Sequence, residues 1–281
     1  MFMTGKKLRP CTEPMYSGGN RRDFPVSSGF NTVNYTDFIS SSIINSERIL
    51  ISQSMHDGYF CGCFATSKLY NRRPALTWGM RNNYDNFLKF VKEEWNGKSN
   101  IYSLACDEKF GFGVFFMGNF GTHQEIVTDT SKVQEKFDEG FRITACASRD
   151  STFYVVMTKG TKEYKDRAQC QFTRNTWKDT ETEIQSEYKE GKAITGICYS
   201  SGLGRYFVVM TEMPEGQCYR WFDLRTKEGN AAFDNWFEEK YKEGFYPTIE
   251  FKDPTDNKLL IVMTTDKNIS DWEGCYNFKL R

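Results

Sequence analysis

A segment that recurs four times along the chain constrains the fold more than any other feature of the sequence. In each clear copy, Glu-Gly precedes a short strand-like segment with Ile-Thr or Pro-Thr, and a second, β-branched segment ends in Met-Thr. The clear copies begin at Glu139, Glu190 and Glu243, and a looser copy begins at Gly97. The methionines lie 40, 53 and 53 residues apart, at Met117, Met157, Met210 and Met263. This period predicts a repeat architecture in which neighbouring units share a core.

Each unit is predicted to open with a short amphipathic helix. An aromatic residue lies six positions before the Ile or Pro of every copy, after a stretch with helical spacing: Trp95, Phe137, Tyr188 and Tyr241. The Gly of Glu-Gly is expected to end the helix, because the left-handed position after a helix favours Gly. A strand, a β-branched strand and a third strand then follow. Residues 169–172 and 217–221 exemplify the third strand, which we group with the preceding hairpin.

A fifth, degenerate unit is predicted before these four. Residues 38–40 and 49–52 are interpreted as its first two strands, residues 58–64 as its third, and residues 71–83 as an insertion. The repeat domain then covers residues 33–281, after an extended arm at 1–32. Its five units are predicted at about 33–85, 86–131, 132–176, 177–230 and 231–281.

Units of this length with several strands are typical of propellers. We therefore predict a mainly β protein that forms a propeller-like toroid of about five repeats, each with three to four strands and a short helix. An irregular β-sandwich with an internal duplication is the alternative. The methionines lie in β-branched runs, which predicts that they are buried near the centre of the toroid.

Charge and cysteine content limit the classes of function. Lys plus Arg and Asp plus Glu number 37 each, so no overall field attracts nucleic acid or an anionic membrane. Neither an apolar stretch of about 20 residues nor a secretory signal is found. Nine cysteines are an odd number, and several recur at similar places in the units, which favours free thiols in the core. We expect a reducing, cytoplasmic location.

The N-terminal arm, residues 1–32, differs from the rest of the chain in charge and composition. It carries five basic and two acidic residues, a net charge of +3, and is rich in Gly, Pro and Ser. It is either a disordered tail or a segment that lies extended along an acidic protein surface with aromatic anchors. The residues predicted to bind a partner are Lys6, Lys7, Arg9, Tyr16, Arg21, Arg22 and Phe24, with Arg72 and Arg73 from the insertion.

Candidate catalytic and metal-binding residues form no coherent set. His56 and His123 lie in turn-like sequence without a nucleophile motif nearby, so we interpret both as turn residues. Cys61 and Cys63 would share one face of a strand, but no companion Cys or His pair follows at zinc spacing, which favours core packing. We therefore predict no catalytic residue, no metal site and no cofactor.

The repeated Glu-Gly, Ile-Thr and Val-Val-Met-Thr segments resemble the non-catalytic C-terminal domain of plant casein-kinase-I-like protein kinases. The resemblance is best over 139–160, weaker over 184–211 and 237–264, and covers most of 86–281. It implies a repeat fold with an interaction or regulatory role. The kinase half is absent: the sequence lacks the Gly-rich loop with its Val-Ala-x-Lys strand, His-Arg-Asp and Asp-Phe-Gly.

Three functions are carried forward from the sequence. The first is a non-enzymatic scaffold that docks into a larger intracellular assembly through an acidic partner, with a microtubule or axonemal lattice of the cytoskeleton or cilium as the specific hypothesis. The second is a regulatory module that binds a protein kinase or a phosphorylated target, using Arg72, Arg73 and Arg81. The third is an enzyme with a pocket at the propeller mouth. Nucleic-acid and membrane partners are not expected.

Overall fold

The computed structural model describes residues 48–56, 59–67, 76–118, 120–161, 164, 166–213, 216–253, 255–265 and 269–279. The predicted arm at 1–32 and the predicted strand at 38–40 lie outside these residues. Side chains of 48–52, 54, 56–78 and 269–279 are also outside the description, so those segments are placed by their backbone pairing alone.

The described residues form a mainly β fold. The strands are β1 (Arg48–His56), β2 (Tyr59–Ser67), β3 (Leu76–Arg81), β4 (Ser99–Asp107), β5 (Gly111–Gly118), β6 (His123–Val127), β7 (Phe141–Arg149), β8 (Thr152–Lys159), β9 (Gln169–Arg174), β10 (Lys192–Ser200), β11 (Arg205–Glu212), β12 (Gln217–Phe222), β13 (Tyr246–Lys252), β14 (Leu259–Thr264) and β15 (Ile269–Lys279). The helices are α1 (Tyr84–Asn96), α2 (Val133–Asp138), α3 (Trp177–Lys189) and α4 (Lys227–Lys242).

These strands pair into five antiparallel sheets of three strands each. We name them A (β1-β2-β15), B (β3-β5-β4), C (β6-β8-β7), D (β9-β11-β10) and E (β12-β14-β13), with the central strand in the middle of each name. Five small sheets replace the two large sheets that a β-sandwich would require. In sheets B to E the helix connects one edge strand to the other.

The third strand of each repeat belongs to a different sheet from the one expected. Sequence analysis grouped residues 169–172 with the preceding hairpin, but β9 pairs with β11 of the following unit. Only two residues separate β9 from α3, which packs on β9, β10 and β11 and holds the strand in the helix's own sheet. The grouping was wrong because sequence spacing does not reveal which neighbour a strand joins.

Sheet A joins the two ends of the described chain. Residues 49–52, predicted as a second strand, lie in the edge strand β1. Of the third strand predicted at 58–64, residues 59–64 lie in the central strand β2 and Gly58 is outside the described residues. The other edge is β15, the last strand of the chain. The predicted insertion at 71–83 was wrong in part, because residues 76–81 form β3 and pair with β5.

The inner edge strands of neighbouring sheets contact each other in a complete circuit. We use "inner" for β1, β4, β7, β10 and β13. β4 contacts β7, β7 contacts β10, and β10 contacts β13, while β1 contacts both β4 and β13. Every sheet therefore has two neighbouring sheets.

Apolar layers between the sheets are shared by both neighbours. On β8, Val155 and Met157 pack with Phe207 of sheet D, whereas Val156 packs toward sheet B with Phe112. This alternation follows from the two-residue period of a strand and buries both faces of the central strand. The helices fill the space between sheets: α3, for example, contributes Ile184 to the layer between sheets D and E.

The four repeated methionines are fully buried on central strands, which confirms the predicted burial. The first copy is nevertheless shifted by one position. Met157 pairs with Ile143, whereas Ile101 pairs with Phe116 and not with Met117. The shift was invisible in sequence because β5 is apolar at nearly every position.

The predicted helix ends are confirmed in the three clear copies. Gly140, Gly191 and Gly244 have φ of 88°, 78° and 90° directly after the helix. In the looser copy, Gly97 has φ of −75° and Lys98, with φ of 66°, takes the left-handed conformation instead. The aromatic residue six positions before the Ile or Pro lies in the last turn of each helix.

Glycine is required at Gly111, the first residue of β5, by its conformation and by a close approach. Its φ is 92°, and a Cβ there would lie 2.0 Å from the carbonyl oxygen of Arg81. We expect Gly111→Ala to lower the free energy of unfolding by about 3 kcal/mol or more, since strain and overlap add. Gly204→Ala is the control: its φ is 62° with no atom within 4 Å of the added Cβ, so about 1 kcal/mol is expected. Urea unfolding of both variants measures the difference, and equal losses would contradict the role of the overlap.

Candidate interaction surface

A glutamine side chain links each of three sheets to the preceding sheet, and we call this contact the glutamine clasp. The Oε1 of Gln169, on β9 of sheet D, accepts a hydrogen bond from the N–H of Ile143 on β7 of sheet C at 2.6 Å. Its Nε2 donates to the carbonyl oxygen of Ile143 at 3.0 Å and to the hydroxyl of Thr211 at 2.9 Å. One side chain therefore satisfies both backbone groups of a residue in the neighbouring sheet.

The same geometry recurs at two other junctions. Gln124 bonds the N–H and carbonyl oxygen of Ile101 at 2.6 and 2.8 Å and reaches Thr158 at 2.7 Å. Gln217 bonds the N–H and the carbonyl oxygen of Ile194 at 2.7 and 2.9 Å. The aromatic residue of the helix end contributes in two cases, because Trp95 Nε1 donates to Gln124 at 3.0 Å and the Tyr188 hydroxyl donates to Gln217 at 2.7 Å.

A local irregularity in the inner strand makes the clasp possible. The pairing of β7 with β8 shifts register between Ile143 and Ala145. Such a bulge leaves backbone groups of the inner strand without a partner in their own sheet. The hydroxyl of Thr144, at the bulge, bonds the hydroxyl of Thr158 at 2.7 Å. Ile-Thr is therefore the part of the repeat that receives the glutamine of the next sheet.

The sequence did not predict the clasp, although Gln169 and Gln217 lie in the predicted third strands. The available signal was a Gln at the same position of the edge strand before three of the four helices, at 124, 169 and 217. Because glutamine is common at exposed positions, its recurrence alone did not indicate a bond to the Ile-Thr segment of the preceding sheet.

On one side of the sheets, hydrogen bonds link the turns that join the inner strands to the central strands. We name these turns, residues 107–111, 149–152, 200–205 and 252–259, the hairpin face. Arg149 donates from Nη1 to the carbonyl oxygen of Asn82 and from Nη2 to that of Glu108, each at 2.9 Å. The guanidinium group thus links the turn of sheet C to sheet B.

The turns of sheets D and E join the same network. Ser201 Oγ donates to the carboxylate of Glu108 at 2.6 Å, and the N–H of Gly202 donates to the carbonyl oxygen of Asp150 at 3.1 Å. The Tyr206 hydroxyl donates to the buried carboxylate of Asp253. The turns are therefore fixed relative to one another by side-chain and backbone bonds.

The hairpin face combines fixed loops with exposed side chains. Asp150, Ser151 and Arg205 are exposed there. Leu203 is 44% exposed. Among the residues whose side chains the structure describes, no other large apolar side chain is exposed. One exposed leucine is ordinary on a protein surface, so the hairpin face is distinguished by the fixed positions of its turns and not by an apolar patch.

The residues predicted to bind a partner are not brought together by the described structure. Lys6, Lys7, Arg9, Tyr16, Arg21, Arg22, Phe24, Arg72 and Arg73 all lie outside the described residues. Arg81, proposed to join Arg72 and Arg73, is described on β3. Its guanidinium carbon lies 3.7 Å from the centre of the Phe90 ring, and its Nη1 donates to the carbonyl oxygen of Met80 at 2.8 Å.

Among the cysteines whose side chains are described, Cys146 and Cys198 are neighbours that share a hydrogen bond in the layer between sheets C and D. His123, at the start of β6, lies 3.2 Å from the carboxylate of Glu125, and His56 ends β1. Cys61 and Cys63 lie on β2, two residues apart, with their side chains outside the description. Cys106, Cys146, Cys170, Cys198 and Cys218 are free thiols. Within the described residues, no group of three or more His, Cys, Asp or Glu is placed to hold a metal ion.

Comparisons with known proteins assign the chain to no family. Neither a scan against protein-family models nor a search of curated proteins gives a match. Among the described helices, none has the length and apolar character needed to cross a membrane.

Removing a clasp should destabilise the fold more than removing a neighbouring glutamine. Gln169→Ala leaves the N–H and carbonyl groups of Ile143 without their partner, and we expect a loss of about 2–4 kcal/mol in the free energy of unfolding. Gln171→Ala, on the same strand but outside the clasp, is the control and should change it by about 0.5 kcal/mol or less. Urea unfolding followed by circular dichroism measures both, and a small loss for Gln169→Ala would refute the role of the clasp.

Two edge-strand thiols are expected to react slowly with alkylating reagents. Burial raises the pKa of Cys170 to about 11, helped by a hydrogen bond to Glu187, and burial raises the pKa of Cys218 to about 11 as well. At pH 8 about one thiol in a thousand is then ionised, so modification by iodoacetamide should be roughly 100-fold slower than in the chain unfolded in urea. Peptide mass spectrometry measures both rates, and equal rates would show that neither thiol is protected.

Proposed function

We propose that this protein is a non-enzymatic scaffold: a closed, propeller-like ring of five sheets that docks into a larger assembly of acidic surface. The circuit of contacts through β1, β4, β7, β10 and β13 carries this proposal. It supports a ring because every inner strand has a neighbour on each side, including at the junction between the chain ends.

Rigidity supports a scaffold role. The sheets share apolar layers, three junctions carry a glutamine clasp, and the hairpin face is held by bonds between its turns. Such a body displays loops in fixed positions at little entropic cost, which favours specific association.

Charge supports the choice of partner. The chain as a whole has zero net charge and residues 1–32 carry +3, so residues 33–281 carry −3 by difference. A basic arm on a weakly acidic body favours an acidic protein lattice, to which the arm is attracted and the body is not. We propose a cytoskeletal filament of the microtubule or axonemal type as that lattice.

Co-sedimentation with microtubules tests this proposal. The full chain should pellet with microtubules, and a variant with Lys6, Lys7, Arg9, Arg21 and Arg22 changed to Gln should bind roughly tenfold more weakly. This estimate assigns about 0.3 kcal/mol to each lost surface pair. Microtubules stripped of their acidic tails should reduce binding of the full chain to a similar degree.

A variant with five exposed lysines of the body changed to Gln is the matched control, because it removes the same charge elsewhere. These lysines are Lys89, Lys92, Lys132, Lys178 and Lys189. The control should pellet like the unchanged chain. Equal loss in both variants, or no pelleting of the full chain, would overturn the proposed role of the arm.

The two alternative functions remain hypotheses without a specific observation in their favour. The phosphate-binding alternative requires a free arginine cluster, and Arg81 already packs over Phe90 and bonds Met80. The enzyme alternative requires convergent acid, base or nucleophilic groups at a mouth of the ring.

A further inference from the structure

Sheet A is joined to its neighbours without the glutamine clasp. In sheet C the clasp glutamine Gln124 lies opposite Thr158. The equivalent position of sheet B, on the edge strand β3 that faces sheet A, is Leu76, opposite Met117. In sheet A the position equivalent to that of the clasp glutamine is Trp272, opposite Ala65. A leucine has no hydrogen-bonding group, and an indole cannot bond an N–H and a carbonyl oxygen together.

The receiving positions at these junctions differ as well. Pro247 of sheet E holds the position of Ile143 in sheet C, because Pro247 pairs with Met263 and Ile143 pairs with Met157. A proline has no N–H that a glutamine side chain could bond. Between sheets A and B, Gln53 Nε2 reaches the carbonyl oxygen of Gly113 at 3.3 Å, while its buried Oε1 has no hydrogen-bond partner. At both junctions of sheet A the position of the clasp glutamine is therefore held by another residue, and at the junction with sheet E the N–H that a clasp would bond is missing as well.

The strand that completes sheet A carries a cysteine directly opposite a cysteine of its partner. Cys275 of β15 pairs with Cys63 of β2 in the antiparallel register. Directly opposite residues in such a pair have Cα atoms about 4.5 or 5.5 Å apart. Disulfides span Cα separations of about 4.4–6.8 Å, so either value suits a cross-strand bond. Cys61, two residues away, pairs with Asn277 and has no such partner.

We propose that Cys63 and Cys275 form a reversible disulfide that locks sheet A, and with it the ring, in the closed state. The proposal takes its ring from the proposed function, but the bond itself requires only the pairing of β2 with β15. In the reduced protein, sheet A is the part that opens first; in the oxidised protein, the two ends of the described chain are covalently joined.

The bond forms by thiol–disulfide exchange with a low-molecular-weight disulfide such as oxidised glutathione. The thiolate of Cys63 attacks one glutathione sulfur, which breaks the S–S bond and releases one glutathione thiolate. The thiolate of Cys275 then attacks the Cys63 sulfur of the mixed disulfide and releases the second. The protein loses two electrons and two protons, and one oxidised glutathione becomes two reduced molecules.

Oxidation of the full, native chain with glutathione disulfide tests the bond. Peptide mapping without reductant should show residues 63 and 275 linked, with the loss of two hydrogens in mass, and dithiothreitol should reverse the link. Cys275→Ser should abolish this linkage, whereas Cys61→Ser should retain it. No link between 63 and 275, or loss of that link in Cys61→Ser, would overturn the proposal.

Hydrogen exchange tests the lock. In the reduced chain, peptides from β1 and β15 should exchange at least tenfold faster than those from β8 and β11, and oxidation should slow β15 by at least tenfold. Cys275→Ser should show no slowing, and its circular dichroism before oxidation checks that it is folded. An oxidised chain whose β15 exchange is unchanged would overturn the lock. Failure to pellet with microtubules would count against the proposed function alone, since it involves neither cysteine.

Discussion

The bond between a glutamine side chain and the backbone of an isoleucine in the preceding sheet fixes three of the five junctions, and the order of sheets B to E depends on it. A single sheet whose central strand is apolar on both faces cannot bury both of them alone, so each such sheet must be held against its neighbours. Apolar layers supply the attraction, but they are not directional. The clasp adds direction, because the amide of Gln169 fits the N–H and carbonyl oxygen of Ile143 at one relative position of sheets C and D.

The repeat sequence predicted the composition of the units better than their connections. Helices, left-handed glycines and buried methionines follow from local rules, and the structure places them as expected in the three clear copies. Strand partners follow from contacts between distant segments. That is why β9 was grouped with the wrong hairpin, and why the one-residue shift at Met117 was not seen.

The candidate site was less accessible from sequence than the fold. Ordinary surface residues such as Arg149, Glu108 and Ser201 build the hairpin face, and only the convergence of three turns brings them together. The clasp glutamines had a regular spacing but no distinctive chemistry until the bulge at Ile143 showed which groups they satisfy. Residues of the basic arm, in contrast, were selected by charge and aromatic character, which require no knowledge of the fold.

Because β15 is the last strand and pairs with β2, sheet A has consequences for how the chain is made. Roughly two hundred residues separate Ser67 from Ile269. At ribosomal rates of about 5–20 residues per second, one edge of β2 waits about 10–40 s for its partner to be synthesised. An unpaired strand edge is a site of aggregation during that interval. The nascent protein therefore needs either rapid assembly of the other sheets or a chaperone that covers β2 until β15 has been synthesised.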